Sequence, residues 1–312
     1  MSIDKLNRRN FIKKSALAAA LCTFGSQLKV SRAAAKKILL TKISGSSVPA
    51  DLDLAVKKVL KPLGGMKAFV KEGQSVVLKP NMCVPAPPGQ RATTSPELVA
   101  AVARQVLECG AKKVLVVDFP VRSPKACLKE NGIQAALKDL GVKVLMPHKI
   151  NDYVEIPIPK GKTLTKTKVM RIVQDADVQI ALPVAKSHMA AKFSGVMKGM
   201  MGLIWDRRSF HSIYDMNQAI VDLNTVLKAE LIILDGLQVM TTDGPVGPGE
   251  LVTCNSLIAG LDPVAVDSAG VQLAPLYGRQ IKPRQVKQLK SGQAAGLGRM
   301  SPPDDQVVKL LV

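Results

Sequence analysis

The feature that most constrains this fold is a series of short apolar runs, separated by segments with the spacing of amphipathic helices. The runs include QSVVL, KVLVV, VQIAL and ELIIL. Such runs are typical of strands buried on both faces of a parallel sheet. Their alternation with helical segments predicts an α/β fold, with a mostly parallel sheet and helices on both faces in a Rossmann-like three-layer arrangement.

Capping signals and local patterning place the individual elements. Thr94 and Glu97 suit a capping box, and Asp262 suits an N-cap. Apolar and polar residues alternate over residues 153–173, which predicts a small β-rich excursion. The predicted strands are residues 37–44, 74–79, 113–118, 143–146, 178–182, 230–235 and 251–259, with a last strand from residue 307. The predicted helices are residues 51–63, 94–108, 133–140, 216–228 and 262–273, with others starting near residues 123 and 285.

Residues 1–35 have the composition of an export signal. Arg8 and Arg9 precede a modest apolar stretch, and a basic region then ends in three alanines at residues 33–35. The stretch is too short to span a membrane, and paired arginines favour the twin-arginine (Tat) route. We therefore expect a Tat signal peptide over residues 1–35, cleaved near Ala35 after contact with the Tat translocase. The α/β domain would cover residues 36–312, in the periplasm and without a stable membrane span.

The charge of the chain limits its partners. The formal net charge is +20, and residues 36–312 keep +14 because seven basic residues and one acidic residue lie in the predicted signal. A basic protein attracts anions, and nucleic acid is the usual alternative. Only 3% of the residues are aromatic, and no nucleic-acid-binding motif occurs. We therefore expect a small anionic ligand and no nucleic acid.

The cysteines do not identify a cofactor. Cys83, Cys109, Cys127 and Cys254 lie outside the predicted signal and match no zinc or ferredoxin spacing. An oxidising compartment is compatible with one or two disulfides, and folding before export is compatible with free thiols, so both remain open. No P-loop, G-x-G-x-x-G or G-x-S-x-G motif is found, so the cofactor is unknown at this point.

Polar residues follow the apolar runs where the predicted strands end. In an open parallel sheet, ligands bind beyond the carboxyl ends of the strands, so these residues predict a site there. The stretch from residue 181 to residue 211 is central, because it holds two of the three histidines and several basic residues. The Gly- and Pro-rich loop TTDGPVGPGE, residues 241–250, is suited to close over a ligand, with Asp243 as a ligand or an acid.

Each candidate residue is assigned a role from its chemistry. Lysine can act as a nucleophile when its pKa is lowered, and histidine titrates near neutral pH. Mixed carboxylate and imidazole groups would suit a divalent metal. The candidate catalytic residues are Lys186, His188 and Asp235; the candidate substrate-binding residues are Lys79, Asn81, Thr94, Lys198, His211 and Gly244; the candidate metal ligands are Asp118 and Asp267.

Each role has a structural alternative. His188 also fits a half-buried histidine with satisfied hydrogen bonds, and Lys186 also fits a surface ion pair. The glycines around Lys198 (Gly195, Gly199 and Gly202) fit close helix packing as well as the approach of a ligand to the backbone.

The ordered segments resemble the domain-of-unknown-function 362 family of bacterial and archaeal proteins. The matching pieces are VVLKPN, TTSPELV, GAKKVLVVD, PVAKSH, VMKGMMGLI, ILDG, DGPVGPGE, AGLDPVAVD and a terminal GLG. The resemblance implies no activity, because the function of the family is unassigned. Some members are fused to ferredoxin-type iron–sulfur modules, whose cysteines this chain lacks, so we expect no cluster here. Members usually have Asn after the lysine matching Lys198, where this chain has Gly199.

Three functions are compatible with these patterns. The first is an exported enzyme acting on a small anionic substrate, with metal or acid/base assistance from the Lys/His/Asp cleft. The second is a periplasmic redox or cofactor-carrying protein, which the iron–sulfur association of the family suggests. The third is a non-catalytic anion-binding protein, which would not need the His and Asp residues of the cleft.

Overall fold

The computed structural model describes residues 39–312. The predicted signal peptide, residues 1–35, lies outside the described residues. The strands are β1 (Leu40–Ser44), β2 (Ser75–Pro80), β3 (Lys113–Val117), β4 (Lys143–Leu145), β5 (Tyr153–Pro157), β6 (Lys166–Met170), β7 (Val178–Leu182), β8 (Val184–His188), β9 (Lys192–Ser194), β10 (Leu231–Met240), β11 (Leu251–Gly260) and β12 (Val307–Leu311).

The helices lie between these strands. The α-helices are α1 (Ser47–Ala50), α2 (Leu52–Leu60), α3 (Pro96–Glu108), α4 (Pro124–Glu130), α5 (Ile133–Ala136), α6 (Arg171–Gln174), α7 (Val196–Gly199), α8 (Ser209–Ser212), α9 (Met216–Asn224), α10 (Pro263–Val271) and α11 (Lys287–Ala294). Short 3₁₀ turns cover Lys61–Leu63, Met66–Ala68, Pro88–Gln90, Lys138–Leu140, Ile150–Asp152, Met200–Leu203, Pro283–Gln285 and Asp304–Gln306.

One ten-stranded sheet organises the described part of the chain. Eight strands follow the order β12-β1-β11-β10-β7-β2-β3-β4, and β8 pairs with both β10 and β9. The pairings among β2, β3, β4, β7, β8 and β10 are parallel, as is the pairing of β1 with β12. Strand β11 pairs antiparallel with β1 and β10, and β9 pairs antiparallel with β8. The predicted mostly parallel sheet is therefore confirmed. Strands β5 and β6 form a separate antiparallel pair, which is the predicted β-rich excursion.

The sheet separates two apolar cores. Side chains alternate across a strand, so Val77 of β2 joins one core while Val76 and Leu78 join the other. Helices α9, α10 and α11 pack in the first core, and α2 and α3 pack in the second. Helices therefore cover both faces of the sheet, as the continuous apolar runs predicted.

Two local predictions were wrong. The capping box at Thr94 and Glu97 does not form: α3 begins at Pro96, after Ser95, and no side chain caps it there. The strand predicted to end at Asp235 continues to Met240, because it pairs with β11 up to Leu251. Lys186, Ser187 and His188 end a further buried strand, β8, which was not predicted from the sequence. The Asp262 N-cap is confirmed, since its side chain accepts the N–H of Ala265.

Within residues 39–312, no helix has both the length and the apolar character needed to cross a membrane.

Candidate functional site

A cleft of about 1000 Å³ opens beyond the carboxyl ends of β2 and β3. Strand β8 and the segment of residues 194–211 form the rest of its wall. The apolar residues of these strands are buried within the sheet. The polar residues that follow them at the carboxyl ends therefore lie at a common edge and face the same opening. The structure brings seven of the predicted site residues together there: Lys79, Asn81, Asp118, Lys186, His188, Lys198 and His211.

The cleft is strongly basic. Arginines at positions 122, 207 and 208 line it together with the three lysines, and the acidic residues of its wall are Asp118 and Asp206. This excess of cations in a concave site attracts and retains anions.

Lys186 is the central cation of this cleft, and its side chain is completely buried. Its ammonium group donates hydrogen bonds to the carbonyl of Ala92, the carbonyl of Pro245 (3.1 Å) and Asn81 Oδ1 (3.4 Å), and its nitrogen lies 3.7 Å from Cys83 Sγ. None of these acceptors is a carboxylate, and no salt bridge is found for Lys186 among residues 39–312. The predicted alternative of a surface ion pair is therefore wrong.

His188 lies beside this cation and is also buried. The backbone N–H groups of Ala190 and Ala191 each donate to its Nδ1 at 3.2 Å. Because Nδ1 accepts both hydrogen bonds, the proton of the neutral ring is on Nε2. Burial, followed by the charges of Lys198 and Lys186, lowers the pKa of His188 to about 3. This arrangement favours a hydrogen-bond donor over the predicted general base.

Lys198 and His211 complete the basic wall. Lys198 is the third residue of α7 and is half-buried. Burial lowers the pKa of Lys198, Cys83 opposes this, and the charges of Lys186 and Arg207 add to it, so that the pKa is about 8. Burial also lowers the pKa of His211, followed by the charges of Lys198 and Arg207. Neighbouring cations thus favour the neutral form of both groups.

Lys79 and Asp118 form a buried ion pair in this wall. Lys79 Nζ lies 3.0 Å from Asp118 Oδ1, and the two carboxylate oxygens also accept the N–H groups of Met82 (2.6 Å) and Phe119 (2.9 Å). Gly202 lies against the pair, where an added Cβ would overlap Asp118 Oδ1 and approach Lys79 Nζ to 2.9 Å. The pair fixes the ends of β2 and β3 relative to each other.

Asp235 does not line the cleft. It is completely buried, and its Oδ2 accepts hydrogen bonds from the N–H (2.8 Å) and hydroxyl (2.6 Å) of Ser95. Its Oδ1 accepts the N–H of Leu237 at 3.1 Å. Asp235 therefore holds the start of α3 against β10, and the geometry gives it a positioning role in place of the predicted catalytic one.

Thr94 and Gly244 also serve the backbone. The Thr94 hydroxyl donates to the carbonyl of Leu182 at 2.6 Å and accepts the N–H of Asn81 at 2.9 Å. Gly244 donates its N–H to Ser187 Oγ at 3.1 Å, and an added Cβ would overlap the Ser187 carbonyl oxygen. These contacts place residues next to the cleft without lining it themselves. The neighbouring Pro245 does line it.

Asp267 lies at the amino end of α7, outside the cleft lining. Its two oxygens accept the N–H groups of Val196 (2.7 Å) and Met197 (3.0 Å). Gly195 permits this approach, because an added Cβ would overlap Asp267 Oδ1. Burial raises the pKa of Asp267 to about 7, and the two N–H donors oppose this shift.

The residues present do not fit the predicted divalent metal. The carboxylates of Asp118 and Asp267 hold backbone groups at separate places, and the Nδ1 of His188 is already an acceptor. Among residues 39–312, no group of three or more His, Cys, Asp or Glu side chains is arranged to hold a metal ion.

One wall of the cleft is aromatic, which was not predicted from the sequence. Phe119 and Trp205 stack with centroids 5.7 Å apart, and Tyr153 packs edge-on to Trp205 at 5.3 Å. The guanidinium carbon of Arg207 lies 4.4 Å from the Phe119 centroid, and Arg207 donates hydrogen bonds to the carbonyls of Phe119 and Pro120. Trp205 is the only tryptophan of the chain, which was the one available signal.

All four cysteines outside the predicted signal are free thiols in the structure. Cys83 lines the cleft, whereas Cys127 is buried beneath it, and burial raises the pKa of the Cys127 thiol to about 12. The sequence was compatible with either disulfides or free thiols, and the structure has free thiols.

A second cleft, of about 970 Å³, lies along β2, β3 and β4 and shares no lining residue with the first. It reaches Ser75 and Lys113, the first residues of β2 and β3, and includes His148. None of the predicted site residues lines it, and the charged side chains that do are not among the buried ones. The solvated charges of the second cleft are held less rigidly for ligand binding than the buried side chains of Lys79, Lys186 and His188 in the first cleft. We therefore place the candidate site in the first cleft.

The fold and cleft define an α/β protein with a basic site, walled in part by aromatic rings, at the carboxyl edge of a mostly parallel sheet. The chain belongs to the family described as Domain of unknown function (DUF362), whose profile matches residues 76–272.

The proteins similar to this chain include a cyanobacterial protein and a solved bacterial structure. The thylakoid-associated protein sll1697 of Synechocystis sp. is 28% identical over 220 residues, which cover 68% of this chain and 67% of that protein. The lactate racemase apoprotein of Thermoanaerobacterium thermosaccharolyticum aligns in structure with a TM-score of 0.43 and 14% identity. That alignment covers 71% of this chain and only 54% of the racemase.

Proposed function

We propose that this protein is an enzyme that binds a small anionic substrate in the first cleft and transfers protons with groups of its basic wall. The observation that carries the proposal is the buried ammonium group of Lys186, which has only neutral hydrogen-bond acceptors around it. A buried charge without a counter-ion is costly, and an anionic ligand would neutralise it.

The neighbouring groups have complementary roles in this proposal. Neutral His188 would donate its Nε2–H to the anion, since its Nδ1 is held by two backbone N–H groups. Lys198, with a pKa of about 8, would exchange protons with the substrate near neutral pH. The rings of Phe119 and Trp205 would contact its apolar part.

Intrinsic fluorescence tests ligand binding directly, because Trp205 is the only tryptophan and lines the cleft. Purified protein would be titrated with phosphate, sulfate, short carboxylates and short oxo acids. We expect at least one anion to change the Trp205 emission, and expect Lys186→Met to bind it about 10- to 100-fold more weakly, as for a lost charge-assisted contact.

The matched control is Lys290→Met, which removes an exposed charge from α11. It should bind the anion as the unchanged protein does. No response to any anion, or equal affinity in Lys186→Met, would contradict the proposal.

A non-catalytic anion-binding protein is the second candidate. The four contacts that immobilise the Lys186 ammonium group favour it, because fixed charge is sufficient for capture. Turnover of the bound anion, followed by NMR of the ligand, separates the two. Binding without any chemical change in the ligand supports the second candidate.

We also propose that the protein acts after Tat export, which the paired arginines at positions 8 and 9 support. Replacing both (Arg8→Lys and Arg9→Lys) should retain the chain in the cytoplasm, as measured by fractionation. Export of this variant at the normal level would contradict the route.

A further inference from the structure

Lys198 differs from the other two lysines of the cleft in having no fixed partner. Lys79 is paired with Asp118, and Lys186 donates to surrounding acceptors. Among residues 39–312, no hydrogen bond or salt bridge is found for the Lys198 amine, although it lines the cleft. Its amine is therefore free to approach a ligand.

The position of Lys198 in the backbone is nevertheless well fixed. Helix α7 begins at Val196, and Asp267 accepts the N–H groups of Val196 and Met197, the two residues immediately before Lys198. Asn224 of α9 donates to the Met197 carbonyl at 2.8 Å. The fixed backbone limits the region that the Lys198 amine can reach, and the lack of a competing partner leaves the amine available to a ligand there.

The charged surroundings of Lys198 come from every wall of the cleft. Lys186 and His188 are on β8, Cys83 follows β2, and Arg207 and His211 are in the segment before α9. Burial and the two strong cations lower the pKa of Lys198 to about 8. At pH 7 roughly a tenth of such amines are unprotonated, about 200-fold more than for a lysine with the ordinary pKa of 10.4.

We propose that Lys198 is a nucleophile that forms a Schiff base with the carbonyl group of a small oxo acid bound in the cleft. This inference rests on the proposed function, since the carboxylate of the oxo acid is the anion that accepts the Nε2–H of His188 and offsets the charge of Lys186. An unprotonated amine beside other cations is the usual arrangement of lysines that form Schiff bases.

The reaction balances without a further reactant. The Lys198 nitrogen lone pair attacks the carbonyl carbon, and the carbonyl π electrons move to oxygen, which takes up a proton. The resulting carbinolamine loses that oxygen as water, and a C=N bond replaces the C–N bond and the C–O bond. The two amine protons leave with the oxygen as water, and protonation from solvent gives the iminium form.

Reductive trapping tests this step. The full chain would be incubated at pH 7.5 with pyruvate or 2-oxoglutarate and sodium cyanoborohydride, and peptide mapping by mass spectrometry would locate the reduced adduct. We expect one adduct per chain, on Lys198, formed roughly 100-fold faster than on any exposed lysine. Acetone, which lacks the carboxylate, should label Lys198 more slowly than pyruvate does.

Two variants complete the test. Lys198→Arg keeps the charge but removes the primary amine, so it should give no cleft adduct while still changing Trp205 emission with the oxo acid. Lys290→Arg should be labelled at Lys198 like the unchanged protein. The mapping of the unchanged protein is decisive even if Lys198→Arg folds poorly.

The outcomes separate this inference from the proposed function. Oxo-acid binding detected by Trp205 without an adduct on Lys198 overturns the covalent step and leaves anion binding intact. Labelling spread evenly over exposed lysines also overturns it. No adduct and no fluorescence response to any anion overturns both proposals.

Discussion

Lys79 Nζ lies 3.0 Å from Asp118 Oδ1, and both side chains are almost completely buried. The pair joins the ends of two neighbouring parallel strands, β2 and β3, at the wall of the cleft. Because Asp118 also accepts the N–H groups of Met82 and Phe119, one carboxylate fixes two loops as well as the lysine.

Breaking this pair should destabilise the fold. Removing one member of a buried ion pair leaves an uncompensated charge, so Lys79→Met should lower the free energy of unfolding by about 3–5 kcal/mol. Asp118→Asn should have a similar effect, and the double variant should lose less than the sum of the two. Urea unfolding of all three variants measures this. Strictly additive losses would show that the two charges do not interact.

Two glycines of the same segment should respond differently to alanine. A Cβ at Gly202 would overlap Asp118, whereas a Cβ at Gly199 has no atom within 4 Å. Gly202→Ala should therefore destabilise the protein and weaken anion binding. Gly199→Ala should be neutral or stabilising by up to about 1 kcal/mol, because alanine favours helix. Thermal unfolding and Trp205 fluorescence would follow both, and equal behaviour would contradict the described packing around Gly202.

His188 should make the fold sensitive to acid. The unfolded chain binds a proton at this residue near pH 6.5, while the folded ring, with its pKa of about 3, remains neutral. Because the unfolded state binds more protons, this contribution to stability is lost progressively as the pH falls from 6.5 towards 3, with a slope of at most about 1.4 kcal/mol per pH unit.

Replacing the imidazole tests this expectation. His188→Gln should show a shallower loss of unfolding free energy over that pH range in urea titrations. At pH 8 the ring is neutral in both states, so the difference between variant and unchanged protein there reports packing alone. An unchanged pH dependence in His188→Gln would contradict the lowered pKa.

Asp235 should affect stability more than ligand binding. Asp235→Asn weakens the contacts with Ser95 and should lower the free energy of unfolding by about 1–3 kcal/mol. At a temperature where the variant remains folded, anion affinity should be close to that of the unchanged protein. Ser95→Ala is the matched control, with a smaller loss. A stable Asp235→Asn variant without activity would restore the predicted catalytic role.

The residues that end strands show how far the sequence could predict this site. Lys79 and Asp118 follow apolar runs, and parallel strands carry such residues to a common edge, so their meeting could be predicted. Asp235 follows the same pattern, but β10 continues past it through its pairing with β11, and its side chain therefore meets Ser95 instead of a ligand. The length of β10 depends on its pairing with β11, which the local sequence around Asp235 does not specify.

The aromatic wall could not be predicted for a similar reason. Arg207 and Phe119 are 88 residues apart and meet only through tertiary packing. No periodic pattern joins them. The alternative of a surface ion pair for Lys186 was wrong because β8 is buried between β10 and β9, whereas a lysine after an apolar run is typical of a solvated strand end.

The acceptors that surround the Lys186 ammonium group come from Asn81, Cys83, Ala92 and Pro245, between 59 and 105 residues away along the chain. Such distant contacts form only after the intervening strands have paired, and they slow folding. We therefore expect the cation to acquire its surroundings at a late stage of folding. A fragment that ends before β10 would carry most of the cleft residues and still lack the Pro245 carbonyl, so ligand affinity should arise cooperatively with completion of the sheet.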